Sequence, residues 1–184
     1  MNVFVLCTGR CGSTTFAKAC APITNWTAAH ESRTHLTGAR RFNYPDRHIE
    51  VDNRLSWLLG RLERTYGDTA FYVHLIRDPE ETARSFLSRA DKGILLAYRT
   101  EILMRAPRRN ADLPTIRFCR DYVDTVTANI ESFLKDKTRK MTVHLGTVKD
   151  DFARFLDAIG AEGDLAGAIA GWDEVHNPTK PKSA

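Results

Sequence analysis

Val3-Phe4-Val5-Leu6-Cys7-Thr8-Gly9-Arg10-Cys11-Gly12-Ser13-Thr14-Thr15-Phe16-Ala17-Lys18-Ala19 decides the reading of this chain. It runs from an apolar strand through a glycine-containing turn into a hydroxyl-rich helix start. The first N–H groups of a helix lack internal partners, and the helix dipole adds positive potential there, so this order suits an anion. Gly9 and Gly12 allow close approach of the backbone, Arg10 adds a cation, and Ser13, Thr14 and Thr15 add hydroxyls. The nucleotide pattern G-x-x-x-x-G-K-[ST] is not met, since Cys7 stands at its first glycine and Ser13 at its lysine. Alone, the loop is open between an anion site and a tight strand–helix turn.

A second strand-to-helix junction narrows the choice. Phe71-Tyr72-Val73-His74-Leu75-Ile76 is apolar, Arg77-Asp78-Pro79 makes a polar turn, and Pro79 suits the first turn of a helix. Arg77 then stands at the carboxyl end of its strand, where ligands bind in open α/β sheets. Ser85 follows eight residues later in the next helix. A guanidinium and a hydroxyl so placed suit one phosphate.

Around these junctions the pattern alternates. Strands are predicted at residues 2–7, 49–52, 71–76 and 141–145, with a weaker one at 23–26. Leu55, Leu58, Leu59, Leu62 and Tyr66 recur at helical spacing before Gly67, as do Val148, Phe152, Phe155, Leu156 and Ile159 before Gly160. A long helix is predicted from Thr115 to about Lys135. The implied fold class is α/β: a three-layer, P-loop-like fold with a central, mainly parallel sheet and helices on both faces. One domain is expected over residues 1–176, followed by a short tail at 177–184.

The two junctions together resemble the sulfotransferases that use 3′-phosphoadenosine 5′-phosphosulfate (PAPS). Arg10-Cys11-Gly12-Ser13-Thr14 is similar to that family's 5′-phosphosulfate loop, [KR]-x-G-[ST]-[ST]. Arg77-Asp78-Pro79 with Ser85 is similar to its 3′-phosphate motif at the same spacing. Lys140–Leu145 with the following helix, and Trp172 with Val175-His176-Asn177-Pro178-Thr179-Lys180, are looser likenesses to its late strand and to tails of its carbohydrate-type and bacterial members. The family's late R-K-G-x-x-G motif is absent, so the adenosine end must be gripped differently.

The resemblance implies PAPS as cofactor, held by Arg10, Cys11, Gly12, Ser13, Thr14, Thr15, Arg77 and Ser85, with no metal. It implies transfer of a sulfuryl group to a hydroxyl or amine of a small-molecule or carbohydrate acceptor. Arg10 would act at the transferred group. The base would come from Ala29-His30-Glu31-Ser32-Arg33-Thr34-His35, with Glu31 first, His30 second and His35 behind them. A kinase of small metabolites and a non-catalytic binding domain are the rival readings.

The remaining sequence bounds these readings. The chain has 184 residues, net charge +4 and 27% charged residues, ordinary for a globular protein. No run suits a bilayer span, so a soluble, cytoplasmic protein is expected. Arg99, Arg105, Arg108, Arg109, Arg117 and Arg120 concentrate charge in one stretch. Only Tyr98 and Phe118 accompany them, so a solvated face or an anion contact is expected rather than a nucleic-acid surface. Cys7, Cys11, Cys20 and Cys119 form no C-x-x-C pair and read as reduced thiols. His74 and His144 read as hydrogen-bonded core histidines. Asp52-Asn53 read as a cap for the helix near Leu55, or as a polar contact at the sheet edge.

Overall fold

The structure, a computed structural model, describes residues 1–105, 108 and 110–174. Val3–Leu6 forms β1, buried at every position, because strands of a parallel sheet are covered on both faces. Its neighbours are β3 (His48–Val51) and β4 (Phe71–Ile76), both parallel to it. Thr27–His30 forms β2 beyond β3, and Lys140–His144 forms β5 beyond β4, again parallel. The sheet order is β2-β3-β1-β4-β5.

Alternation along β1 sorts the core into two layers. Val3 and Val5 face α1 (Ser13–Ala19), α6 (Val148–Ala158) and α7 (Leu165–Ala170), packing with Phe16, Phe152, Phe155 and Trp172. Phe4 and Leu6 face the other way, toward α2 (Leu59–Tyr66), α3 (Pro79–Leu87), α4 (Gly93–Ala97) and α5 (Thr115–Leu134). Phe16 fastens short α1 to α6 and to the turn after α7 through edge-on contacts with Phe152 at 5.1 Å and Trp172 at 5.9 Å.

All five strands point the same way, so their carboxyl ends share one edge. From β1 the chain crosses first to the β2–β3 side and later to β4. The crevice beside β1 is therefore the switch point at which open α/β sheets bind ligands.

Several expectations are corrected. The second strand is Thr27–His30, not 23–26: Ile23 forms an isolated antiparallel bridge with Gly163, and Ile23 and Trp26 fill the α1-side core instead. Apolar content drew the prediction to the wrong residues, because Ala28 and Ala29 carry little strand signal. His144 is an exposed residue at the end of β5, its imidazole 3.3 Å from Asp151, rather than a core histidine. His74 is buried as expected, but its Nε2 has no hydrogen-bond partner among the described residues. The helix predicted from Leu55 begins as a 3-10 turn, Asn53–Trp57, before α2. The tail at 177–184 and the likeness at 175–180 fall outside the described residues. Among the described residues, no helix is long and apolar enough to cross a membrane.

Candidate functional site

The β1–α1 loop is held from below by neighbouring elements. Ser56 donates to the Cys7 carbonyl at 3.1 Å, and Tyr122 of α5 donates to the Thr8 carbonyl at 2.8 Å. Gly9 has φ +83°, and a Cβ there would lie 2.6 Å from Asn53 Nδ2. Gly12 has φ +90°, and a Cβ there would meet Leu145 at 3.0 Å and Trp172 at 3.2 Å. Both positions need glycine for backbone conformation and for space. Arg10 also lies in the left-handed region, at φ 61°. That conformation is costly for a non-glycine residue and is concentrated at ligand sites.

Arg10 reaches across the crevice, and its Nε donates to Ser85 Oγ at 3.0 Å. Arg77 donates through Nε to Glu81 at 2.9 Å and points Nη1 toward the Arg10 carbonyl at 3.5 Å. Burial, then the charges of Arg89 and Arg77, hold the Arg10 guanidinium below its usual range. Crowded like charges of this kind favour an anion among them. The structure thus brings the loop and the Arg77–Ser85 pair to one cavity of about 840 Å³.

Gly12, Ser13, Thr14 and Thr15 line that cavity as well. The Cys11 side chain does not. It is fully buried in the α1-side core, so Cys11 offers the loop only its backbone. A hydrogen bond with Cys7 lowers the Cys11 thiol against the effect of burial, while the Cys7 thiol is raised.

On the opposite wall, His30 ends β2 and Glu31 follows it at φ 52°. His30 Nε2 lies 3.1 Å from Ser13 Oγ, which joins this wall to the loop. Glu31 pairs with Arg54 at 2.5 Å, and both line the cavity. Asp52 caps the turn after β3 by accepting from the Arg54 N–H at 2.8 Å. It also pairs with buried Arg41, and burial raises its pKa against that attraction. Asn53 stands in the wall itself, so the cap and sheet-edge readings each fit one of the two residues. His35 is not in the wall.

Three cationic lining residues escaped the sequence reading: Arg54, Arg89 and Lys92. Arg89 had a signal, since it lies one helical turn beyond Ser85. Arg54 and Lys92 had none, because turns place them. Arg99 is buried and donates to the Ala90 carbonyl at 2.8 Å, fixing the turn that carries Arg89 and Lys92. It therefore leaves the solvated face expected of the basic stretch. Arg120 forks onto Glu80 at 2.7 and 2.8 Å, and Arg105, Arg108 and Arg117 are exposed. Arg109 falls outside the described residues.

The chain is similar to a solved sulfotransferase domain from the curacin biosynthetic pathway, with a TM-score of 0.65 over 98% of this chain and 80% of that one. This is a sulfotransferase-like P-loop fold. Identity to that domain is 12%, so the likeness concerns the fold. No family model matches the sequence, and no curated protein matches it. Within the sulfotransferase-like fold, the cavity lies at the carboxyl edge of the sheet, with cations on the β1 and β4 side and a carboxylate and imidazole on the β2 side.

Proposed function

We propose that this chain is a PAPS-dependent sulfotransferase acting on a hydroxyl or amine of a small-molecule or carbohydrate acceptor. The observation that carries the reading is the contact of Arg10 with Ser85. It unites the loop suited to a phosphosulfate with the Arg77–Ser85 pair suited to a second phosphate. The cavity also fits the cofactor's charge: Arg10, Arg77, Arg89 and Lys92 line it, with left-handed glycines that bring the loop backbone close.

Bound there, PAPS supplies an activated sulfuryl group on a phosphate leaving group. The loop backbone with Ser13 and Thr14 would hold the phosphosulfate end, and Arg77 with Ser85 and Arg89 would hold the 3′-phosphate. Arg10, which reaches from the loop to Ser85, would stabilise negative charge building at the transferred group. Glu31 accepts the acceptor's proton, oriented by Arg54, and His30 keeps Ser13 turned toward the loop's ligand.

A thermal-shift titration tests the reading. Adenosine 3′,5′-bisphosphate should stabilise the protein at concentrations where ATP–Mg²⁺ does not. Preference for ATP–Mg²⁺ would turn the reading toward a kinase. Indifference to both would turn it toward a non-catalytic domain.

A further inference from the structure

A fully buried carboxylate stands behind the β2 wall. Glu50, in the middle of β3, has no solvent exposure and lies level with Phe4 of β1 and Ala29 of β2. Its Oε1 accepts from the Ser32 N–H at 2.7 Å. Its Oε2 accepts from the Ser32 hydroxyl at 2.6 Å and lies 3.0 Å from His48 Nε2. His48 Nδ1 in turn lies 2.8 Å from the Thr27 hydroxyl, and Tyr44 stacks on the imidazole at 5.4 Å. With Nε2 protonated, His48 donates to Glu50 and accepts from Thr27, which satisfies every partner.

Burying a carboxylate is costly, and a well-packed apolar residue at such a position is often as stable or more so. The sheet itself does not call for an acid here, since its ladder bonds come from the backbone. Beyond its bond to His48 on its own strand, what Glu50 adds is a two-bond grip on Ser32. That residue directly follows Glu31, whose left-handed backbone is held on its other side by its N–H bond to the Val51 carbonyl at 3.0 Å.

We propose that Glu50 is a positioning residue: through Ser32 it holds the His30–Glu31–Ser32 turn so that the Glu31 carboxylate faces the cavity. The proposal rests on the sulfotransferase reading with Glu31 as base. Among the described residues Glu50 contacts neither the phosphate loop nor Arg77, and its bonds fall on Ser32, on the far side of Glu31 from the His30–Ser13 contact, so its influence is on proton transfer more than on cofactor binding.

The test uses the full chain and water as acceptor, following release of adenosine 3′,5′-bisphosphate from PAPS. Glu50→Leu keeps bulk and removes all three acceptor bonds. Its kcat should fall about 10- to 100-fold, the size expected when a reacting group is misplaced. KM for PAPS and affinity for the bisphosphate should stay within about twofold. Glu31→Gln/Glu50→Leu should be no slower than Glu31→Gln, because both changes remove one function. Independent multiplication of the two losses would overturn the proposal.

Amide exchange at Ser32 reads the same turn without turnover. It should quicken in Glu50→Leu while the β1 and β4 amides stay protected, and unchanged exchange at Ser32 would equally overturn the proposal. Should Glu50→Leu fold poorly, Ser32→Ala removes one bond and should show the same kcat loss to a smaller degree, with Ser32→Thr restoring wild-type kcat. A Ser32→Ala variant with unchanged kcat counts against the proposal. A wild-type chain that binds no bisphosphate refutes the sulfotransferase reading, and with it this role for Glu50. Binding with additive losses refutes the positioning role alone.

Discussion

The two walls of the cavity are built by different means. The β1–β4 wall is local: each motif is a strand end, a turn and a helix start, and the functional groups lie within a few residues of one another. The β2–β3 wall is a lattice of side chains. Glu31 is paired with Arg54, Arg54 is held by Asp52, Asp52 by Arg41, and the adjoining Ser32 by Glu50, which His48 contacts in turn. An anion site can be made by backbone that a glycine pattern dictates. A proton acceptor has to be aimed, and aiming draws on residues from several segments.

The sharpest test of this contrast is Arg10→Ala. It should lower turnover by about 100-fold or more, the cost of removing one donor from a developing oxyanion. Affinity for the bisphosphate should weaken less. Near-normal kcat in steady-state assays would remove Arg10 from the chemistry.

On the other wall, Glu31→Gln keeps the shape and removes the proton acceptor. Turnover should drop by a similar factor, about 100-fold, with bisphosphate affinity intact by calorimetry. His30→Ala should be milder, since His30 contacts the loop through Ser13. The reverse order would make the imidazole the base.

Within the first wall, Arg77→Ala should weaken bisphosphate binding more than Ser85→Ala, because a charge-assisted contact exceeds a neutral one. Adenosine 5′-phosphate, lacking the 3′ group, should bind almost as before. Equal losses for both ligands would assign these residues to folding rather than to the 3′-phosphate.

The smallest effect concerns stability away from the cavity. Burial, and then the charge of His144, push the His74 imidazole down to about 4. The unfolded chain binds that proton near its ordinary value of about 6.5. Between those limits the unfolded state holds more protons, so stability falls as pH drops from about 6.5 to about 4 and the contribution levels off below. His74→Leu should flatten this part of the Tm-against-pH curve relative to wild type. Parallel curves would show that His74 is not the group responsible.

Legibility followed the same division. The strands at 2–7, 49–52, 71–76 and 141–145, the loop and the Arg77–Ser85 spacing were readable because each rests on short-range pattern. The α1-side core was readable in part: Phe152, Phe155 and Leu156 recur at helical spacing, yet Ile23 and Trp26 looked like a strand because apolar content does not report hydrogen-bond geometry. Cys11 matched its loop position, but its thiol turned into the core, since the loop's path sets which way a side chain faces. Glu50, bracketed by Ile49 and Val51, gave no sign of a ligand on another strand's turn.

The sequence by itself determined the alternating α/β order, the glycine-bearing loop after β1 and the arginine and serine that face it across the crevice. These follow from strand and helix periods and from the backbone conformations that glycine and proline permit. Only the tertiary structure decided that β2 lies at 27–30, that Arg89 and Lys92 line the cationic side, and that Arg41, Asp52, Glu50 and Ser32 are bonded together around the turn that carries Glu31. The reason is range: hydrogen bonds and ion pairs between segments 11 to 18 residues apart, as from Arg41 to Asp52 and from Ser32 to Glu50, leave no periodic trace in the chain.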